Sequence, residues 1–197
     1  MNNLDTWKYL QAHNYFANHN CYKTFHLAEV NFDLTEKIKN KVMVEIGCGY
    51  GRESYYFSKY VSKLYAIDVS DDILNLTKET VQTHGFIDLV KFVLAESYKT
   101  EIYEPINYVY AKHVFQHITP ELAKDYLQYF KTLLTKDGEV DILLRYGSRK
   151  IYPENREPLV EYNLPEIEQL FEGYTITDMQ FDKGKDYELW RIIAKKK

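Results

Sequence analysis

Short apolar runs alternate with amphipathic stretches along most of the chain. Val42 to Ile46, Leu64 to Ile67, Lys91 to Leu94, Asn107 to Tyr110 and Val140 to Leu144 are brief and largely unbroken by polar residues. Such runs suit parallel strands covered on both faces. Between them Arg52 to Lys59, Asp71 to Thr83 and a stretch from Thr119 to Leu134 carry helical patterning. Helix ends are marked in the residues. Ser70 is placed to cap a helix whose first turn holds Asp71 and Asp72, Gly85 supplies its stop, and Thr119-Pro120-Glu121 sets a cap before a proline at the first helical position. Strands alternating with helices predict right-handed crossovers and a parallel sheet.

Past residue 145 the rhythm changes. Residues 146–165 hold Pro153, Pro158 and Pro165 among mixed charges, which predicts an irregular insertion, and a short helix is expected over Glu166 to Phe171. Tyr174 to Met179 and Glu188 to Ala194 flank Asp182-Lys183-Gly184-Lys185-Asp186 and predict a closing hairpin. At the other end Trp7, Leu10, Asn14 and Ala17 fall at helical spacing within an aromatic-rich segment. The expected organisation is one domain: an N-terminal helical lid over 1–40, a core over 41–145, the insertion over 146–165, and a closing helix and hairpin over 166–197.

Composition narrows the classes of function. A chain of 197 residues is large enough for one full core, and a net charge of -4 creates no global basic field to attract nucleic acid. No apolar stretch approaches the roughly 18 to 20 residues of a membrane span, and Met1-Asn2-Asn3-Leu4-Asp5 lacks the basic-then-apolar layout of a signal peptide. A soluble, cytoplasmic protein is expected. Cys21 and Cys48 form no C-x-x-C pair and suggest no disulfide framework. Lys195-Lys196-Lys197 reads as a solvated tail.

The first strand breaks into Gly47-Cys48-Gly49-Tyr50-Gly51, and the second ends on Asp68. Glycines let backbone approach a ligand where any Cβ would collide, and an acid at the tip of the next strand can accept two hydrogen bonds from a ribose diol. Dinucleotide sites usually read G-x-G-x-x-G. Here every second residue is glycine, and Glu45 lies two positions ahead; a carboxylate facing the ligand repels a pyrophosphate and suits an ammonium or sulfonium. The alternative is a tight strand-to-helix turn with no ligand.

At these residues the chain resembles the class I S-adenosylmethionine-dependent methyltransferases, whose first motif reads acidic-x-G-x-G-x-G. That resemblance implies a Rossmann-like, doubly wound, mostly parallel seven-stranded sheet ending in an antiparallel hairpin. It implies S-adenosylmethionine as cofactor, S-adenosylhomocysteine as product and a small-molecule methyl acceptor. Glu45, Gly47, Cys48, Gly49 and Gly51 then line the cofactor loop, with Cys48 chosen for its small size, and Asp68 with Val69 holds the ribose. After strand three, Glu96 falls where the family's acid accepts from the adenine amino group, and the Ser97 backbone meets the ring; the alternative is a surface glutamate.

A second signal follows strand four. The run Val114-Phe115-Gln116-His117-Ile118 resembles a bacterial subset of small-molecule methyltransferases. Ligands in open α/β sheets bind at the switch point, which strands one and four flank, so backbone from Ala111 to Lys112 is expected beside the methionine portion. His117 is placed as a catalytic base by the family pattern and His113 only by proximity. The alternative for both is a histidine that packs or caps the helix at Thr119. No local cluster suggests a metal. Two departures stand out. Leu134-Thr135-Lys136-Asp137-Gly138 keeps only the last glycine of the family's turn before strand five. Arg52 sits at a helix start, poor for a cation, so an ion pair to Glu45 or Asp72, or a ligand carboxylate, is expected.

The leading expectation is methyl transfer to an oxygen or nitrogen of a small molecule, with His13, Tyr15, His19 or Tyr22 of the lid reaching the substrate. The competing readings are a non-catalytic S-adenosylmethionine-binding partner or regulatory subunit, a nicotinamide-dependent oxidoreductase, disfavoured by Glu45 and the glycine spacing, and a nucleic-acid or protein methyltransferase.

Overall fold

The computed structural model describes residues 34–84, 86–95, 99–151, 159–183 and 188–197. The expected lid, apart from residues 34–40, lies outside the described residues, as do Gly85, Glu96 and Ser97. After a one-turn helix α1 (Thr35–Ile38), the chain forms β1 (Val42–Ile46), α2 (Arg52–Ser58), β2 (Lys63–Asp68), α3 (Asp71–His84), β3 (Val90–Leu94) and β4 (Ile106–Lys112). It continues through α4 (Pro120–Leu133), β5 (Leu134–Arg145), β6 (Lys150–Ile151), β7 (Leu159–Val160), α5 (Leu164–Leu170), β8 (Tyr174–Lys183) and β9 (Glu188–Lys196).

Seven strands form one sheet in the order β3-β2-β1-β4-β5-β9-β8. β1 to β5 pair in parallel, and β9 runs antiparallel to both β5 and β8. This is the doubly wound sheet with a closing hairpin that the sequence predicts. The order reverses between β1 and β4, which opens the switch-point crevice at their carboxyl ends.

Both faces of the sheet are covered, which is why its central strands are apolar throughout. On one face Val44, Ile46, Val109, Ala111, Ile142 and Leu144 pack with Leu127 and Phe130 of α4 and Ile167 of α5. On the other, Met43, Leu64, Ala66, Tyr108 and Tyr110 pack with Phe57 of α2 and Val81 of α3. The strand period of two sends Glu45 to the same face as Met43, beneath α2. A buried network on this face ties β4, β5 and β9 together. Arg191 donates to both Asp141 oxygens at 2.9 and 2.6 Å, and the Tyr108 hydroxyl donates to Asp141 at 2.8 Å.

Several elements differ from their expected bounds, among them β8, which runs on to Lys183 rather than ending at Met179. β5 begins at Leu134, directly after α4, because Leu134 pairs with Ile106 before the register slips to Tyr108 with Glu139. Gly138 lies within this slip, where a Cβ would meet the Leu134 side chain at 2.6 Å. Helix α5 starts two residues early, because Asn163 closes a capping box with Glu166. Part of the insertion is regular: β6 and β7 pair antiparallel, and Tyr146 bridges Tyr162.

Candidate functional site

The turn after β1 is shaped by three left-handed glycines, Gly47, Gly49 and Gly51, at φ 69°, 52° and 81°. They are not equivalent. A Cβ on Gly47 would run into the Val114 side chain, and one on Gly51 would meet Thr77 of α3, including its backbone at 3.0 Å. One on Gly49 would meet nothing within 4 Å. Gly47 and Gly51 are therefore glycines for packing, and Gly49 is the one of the three that borders open space.

Thr77 is the clamp on this loop. Fully buried, it donates to the Gly49 carbonyl at 2.5 Å, lies 2.9 Å from the Ile73 carbonyl and 3.4 Å from Cys48 Sγ. Nothing in the sequence distinguishes it from other helical threonines. Cys48 points inward against it, and burial, then Asp68 and Glu45, push its thiol pKa well up. That removes thiolate character and leaves Cys48 as a small filler.

Asp68 ends β2 beside the loop. Its Oδ2 accepts from Gly49 N at 3.2 Å, and its Oδ1 accepts from Val69 N at 2.8 Å and Ser70 N at 3.3 Å. Burial raises its pKa to about 6 despite those three donors. The acid is thus held in place by backbone alone, one of its bonds coming from the glycine with open space beside it.

Glu45 behaves differently from the expected open carboxylate. It is 3% exposed and accepts from Ser54 Oγ at 2.5 Å, with its pKa driven well up by burial, then by Glu53 and Asp68. The alternation of β1 turns it under α2 rather than out of the strand end. The acid on Arg52 is Glu53, which the sequence reading does not name; Arg52 NH2 reaches Glu53 Oε1 at 2.6 Å and Lys112 Nζ reaches the same oxygen at 3.2 Å. Burial works against the Glu53 carboxylate, but these two cations hold its pKa below the ordinary value. Lys112, at the end of β4, is thereby fixed beside α2.

The histidine run forms a tight turn past β4. Ala111 is fully buried and paired with Ile46, so the two strand ends lie side by side. His113 has a left-handed backbone, φ 59°, a conformation that costs a non-glycine residue about 1–3 kcal/mol and concentrates at functional sites. Phe115–His117 form a single 3-10 turn. His113 Nδ1 lies 3.4 Å from Gln116 Oε1, and Gln116 Nε2 lies 2.9 Å from His117 Nε2. Burial, then Lys112, lowers the His113 pKa to about 4. Helix α4 is capped by Thr119, whose side chain accepts from Leu122 N, and not by either histidine. Tyr162 crosses from the insertion and donates to the Phe115 carbonyl at 3.0 Å. Gln116 and Tyr162 escape sequence reasoning because their role exists only once β4, β5 and the insertion meet.

The structure brings together Glu45, Gly47, Cys48, Gly49, Gly51 and Asp68 at β1 and β2, and Ala111, Lys112, His113 and His117 at β4. Among the described residues no group of three His, Cys, Asp or Glu could hold a metal ion, and no helix is long and apolar enough to cross a membrane.

A doubly wound sheet with a glycine turn and a backbone-held acid at its switch point defines a nucleoside-binding α/β protein. Residues 43–138 match the family model described as a methyltransferase domain, and this segment is a methyltransferase domain of the S-adenosylmethionine-dependent kind. A methyltransferase of Staphylococcus carnosus, described as uncharacterized, is 28% identical over 120 residues, covering 59% of this chain. This chain spans about half of that relative, 52% of its length. The fold is similar to that of the Burkholderia thailandensis 1,6-didemethyltoxoflavin-N1-methyltransferase, solved with its substrate and S-adenosylhomocysteine. That match has a TM-score of 0.77 and 16% identity, over 98% of this chain and 87% of that one. It is also similar to TehB from Haemophilus influenzae, with a TM-score of 0.68 and 17% identity, over 93% of this chain and 66% of that one.

Proposed function

We propose that this protein is a cytoplasmic enzyme that transfers a methyl group from S-adenosylmethionine to an oxygen or nitrogen of a small molecule. The observation that carries the reading is the Gly49 and Asp68 pair: an acid held by backbone N–H groups beside the one loop glycine with open space around it. The donor set fits the cofactor. Asp68 has an oxygen for the ribose diol, Gly49 gives the close approach, and Lys112 with Glu53 offers both charge signs at the β4 end for an amino acid moiety. Glu96 and Ser97 are proposed for the adenine. When bound, S-adenosylmethionine supplies an activated methyl group and departs as S-adenosylhomocysteine. The chain's own part is to align the acceptor and exclude water, and orientation alone is worth up to about 7–11 kcal/mol. His113 and His117 stand at the adjoining strand end as candidates for the acceptor's proton.

Substrates named for similar folds include a toxoflavin precursor and, in Synechocystis, magnesium protoporphyrin IX, which supports a small organic acceptor here. The reading predicts that calorimetry detects S-adenosylhomocysteine binding to the wild type and none to Asp68→Ala. Equal binding by both would remove the assignment.

A further inference from the structure

We infer that Gln116 is a positioning residue: its amide bridges His113 and His117, sets which nitrogen of each ring carries the proton, and leaves His113 Nε2 as the nitrogen that takes the proton from the methyl acceptor. The inference rests on the methyl-transfer reading above and adds a division of labour between the two histidines.

A primary amide has one accepting end and one donating end. Gln116 is 8% exposed, and both ends are in use inside one turn. Oε1 faces His113 Nδ1 at 3.4 Å, so that ring donates from Nδ1. Nε2 faces His117 Nε2 at 2.9 Å, so that ring accepts there. A neutral imidazole donating from Nδ1 carries its lone pair on Nε2. The His117 Nε2 lone pair is engaged by the amide, whereas among the described residues none is hydrogen-bonded to His113 Nε2. The order of the two rings thus reverses what the sequence pattern suggests, with His113 keeping the basic nitrogen.

Backbone holds this geometry. His113 leaves the strand at φ 59°, His117 N donates to the Val114 carbonyl at 2.8 Å, and Tyr162 fastens the Phe115 carbonyl. Among the described residues, the charged and titratable groups facing His113 are Lys112 on β4, His117 on the same turn and Glu53 on α2. Burial and Lys112 outweigh Glu53 and keep the ring neutral. A neutral ring can still act, because an acceptor hydroxyl becomes strongly acidic as it gains carbon. Its proton then moves from the acceptor onto His113 Nε2.

Two-bond proton–nitrogen correlation spectra of protein labelled with nitrogen-15 histidine read the tautomers directly. The two signals are assigned by their loss in His113→Asn and His117→Asn. In the wild type, His113 is expected with a protonated Nδ1, a bare Nε2 and no titration between about pH 5 and 8. Gln116→Leu removes both ends of the bridge and should give His113 a mixture of tautomers. Gln116→Glu keeps an acceptor for His113 but sets a carboxylate against His117 Nε2, so His113 should stay as in the wild type while His117 becomes protonated there. A wild-type His113 protonated on Nε2 overturns the inference, and so does a folded Gln116→Leu with both patterns unchanged. Should that variant not fold, Gln116→Glu decides alone, an unchanged His117 being the contrary result. Calorimetry with S-adenosylhomocysteine on the same wild-type sample tests the methyl-transfer reading separately, since its failure leaves the tautomers as measured.

Discussion

The two strand ends that flank the switch point are built on opposite principles. At β1 and β2 the site is backbone: three left-handed glycines and an acid held by peptide N–H groups. At β4 it is side chain: two imidazoles, the amide between them, and a tyrosine hydroxyl from forty-seven residues further along the chain. A backbone site needs particular residue types at particular spacings, and few substitutions meet its φ angles. A side-chain site can be rebuilt from different partners while the strand beneath it stays the same. The first suits a ligand shared across a family, and the second suits one that differs from member to member.

The contrast can be tested, and the largest expected effect is at Asp68. Its pKa of about 6 lies above the ordinary 3.8, so the folded state holds a proton that the unfolded chain releases. Its contribution to stability is full below about pH 4 and is lost as pH rises through about 6, by at most about 3 kcal/mol. Asp68→Asn, which cannot ionise, should melt at a higher temperature than the wild type at pH 8 and at a similar one near pH 4. A gap that does not change with pH would remove the ionisation argument. Next come the glycines. Gly51→Ala should cost about 2–3 kcal/mol in urea denaturation, from its φ and its contact with Thr77, and Gly49→Ala about 1 kcal/mol. The affinities should rank the other way for equally folded protein, with Gly49→Ala losing more S-adenosylhomocysteine binding. If both properties fall in parallel, the division into packing and ligand glycines is wrong. The smallest effect is expected at Tyr162→Phe, about 1 kcal/mol for one buried hydrogen bond. Cofactor affinity should not change, because this contact fastens the histidine turn past β4 and touches neither Lys112 nor the glycine loop; a matching loss of affinity would join the two regions.

What could be read in the sequence follows the same line. The succession of strands and helices, the glycine turn and Asp68 were legible because apolar runs, glycine spacing and helix caps are local signals. Glu45 was visible as a residue but not as a buried one, since its direction depends on where β1 lies beneath α2. Arg52 announced a need for an acid, yet the one that meets it is Glu53, its neighbour in the chain, whose same oxygen also receives Lys112 from β4. Thr77 and Tyr162 carried no mark, and Gln116 was visible only as one letter of the histidine run, with no role of its own. Each has an ordinary residue type, and its function comes from contacts with distant elements. The early start of β5 was hidden for a related reason: its pairing with Ile106 precedes the residues that look like a strand.

The Asp141, Arg191 and Tyr108 network bears on assembly as well as cohesion. β9 runs antiparallel to both of its neighbours in this sheet, and Arg191 stands opposite Leu143, diagonal to Asp141. Sliding β9 by a single residue would turn every side chain over, driving the guanidinium into the opposite apolar layer and leaving the Asp141 carboxylate in the first with Tyr108 but without its cation. The ion pair therefore works as a key cut for one alignment, so that the C-terminal hairpin docks in a single register.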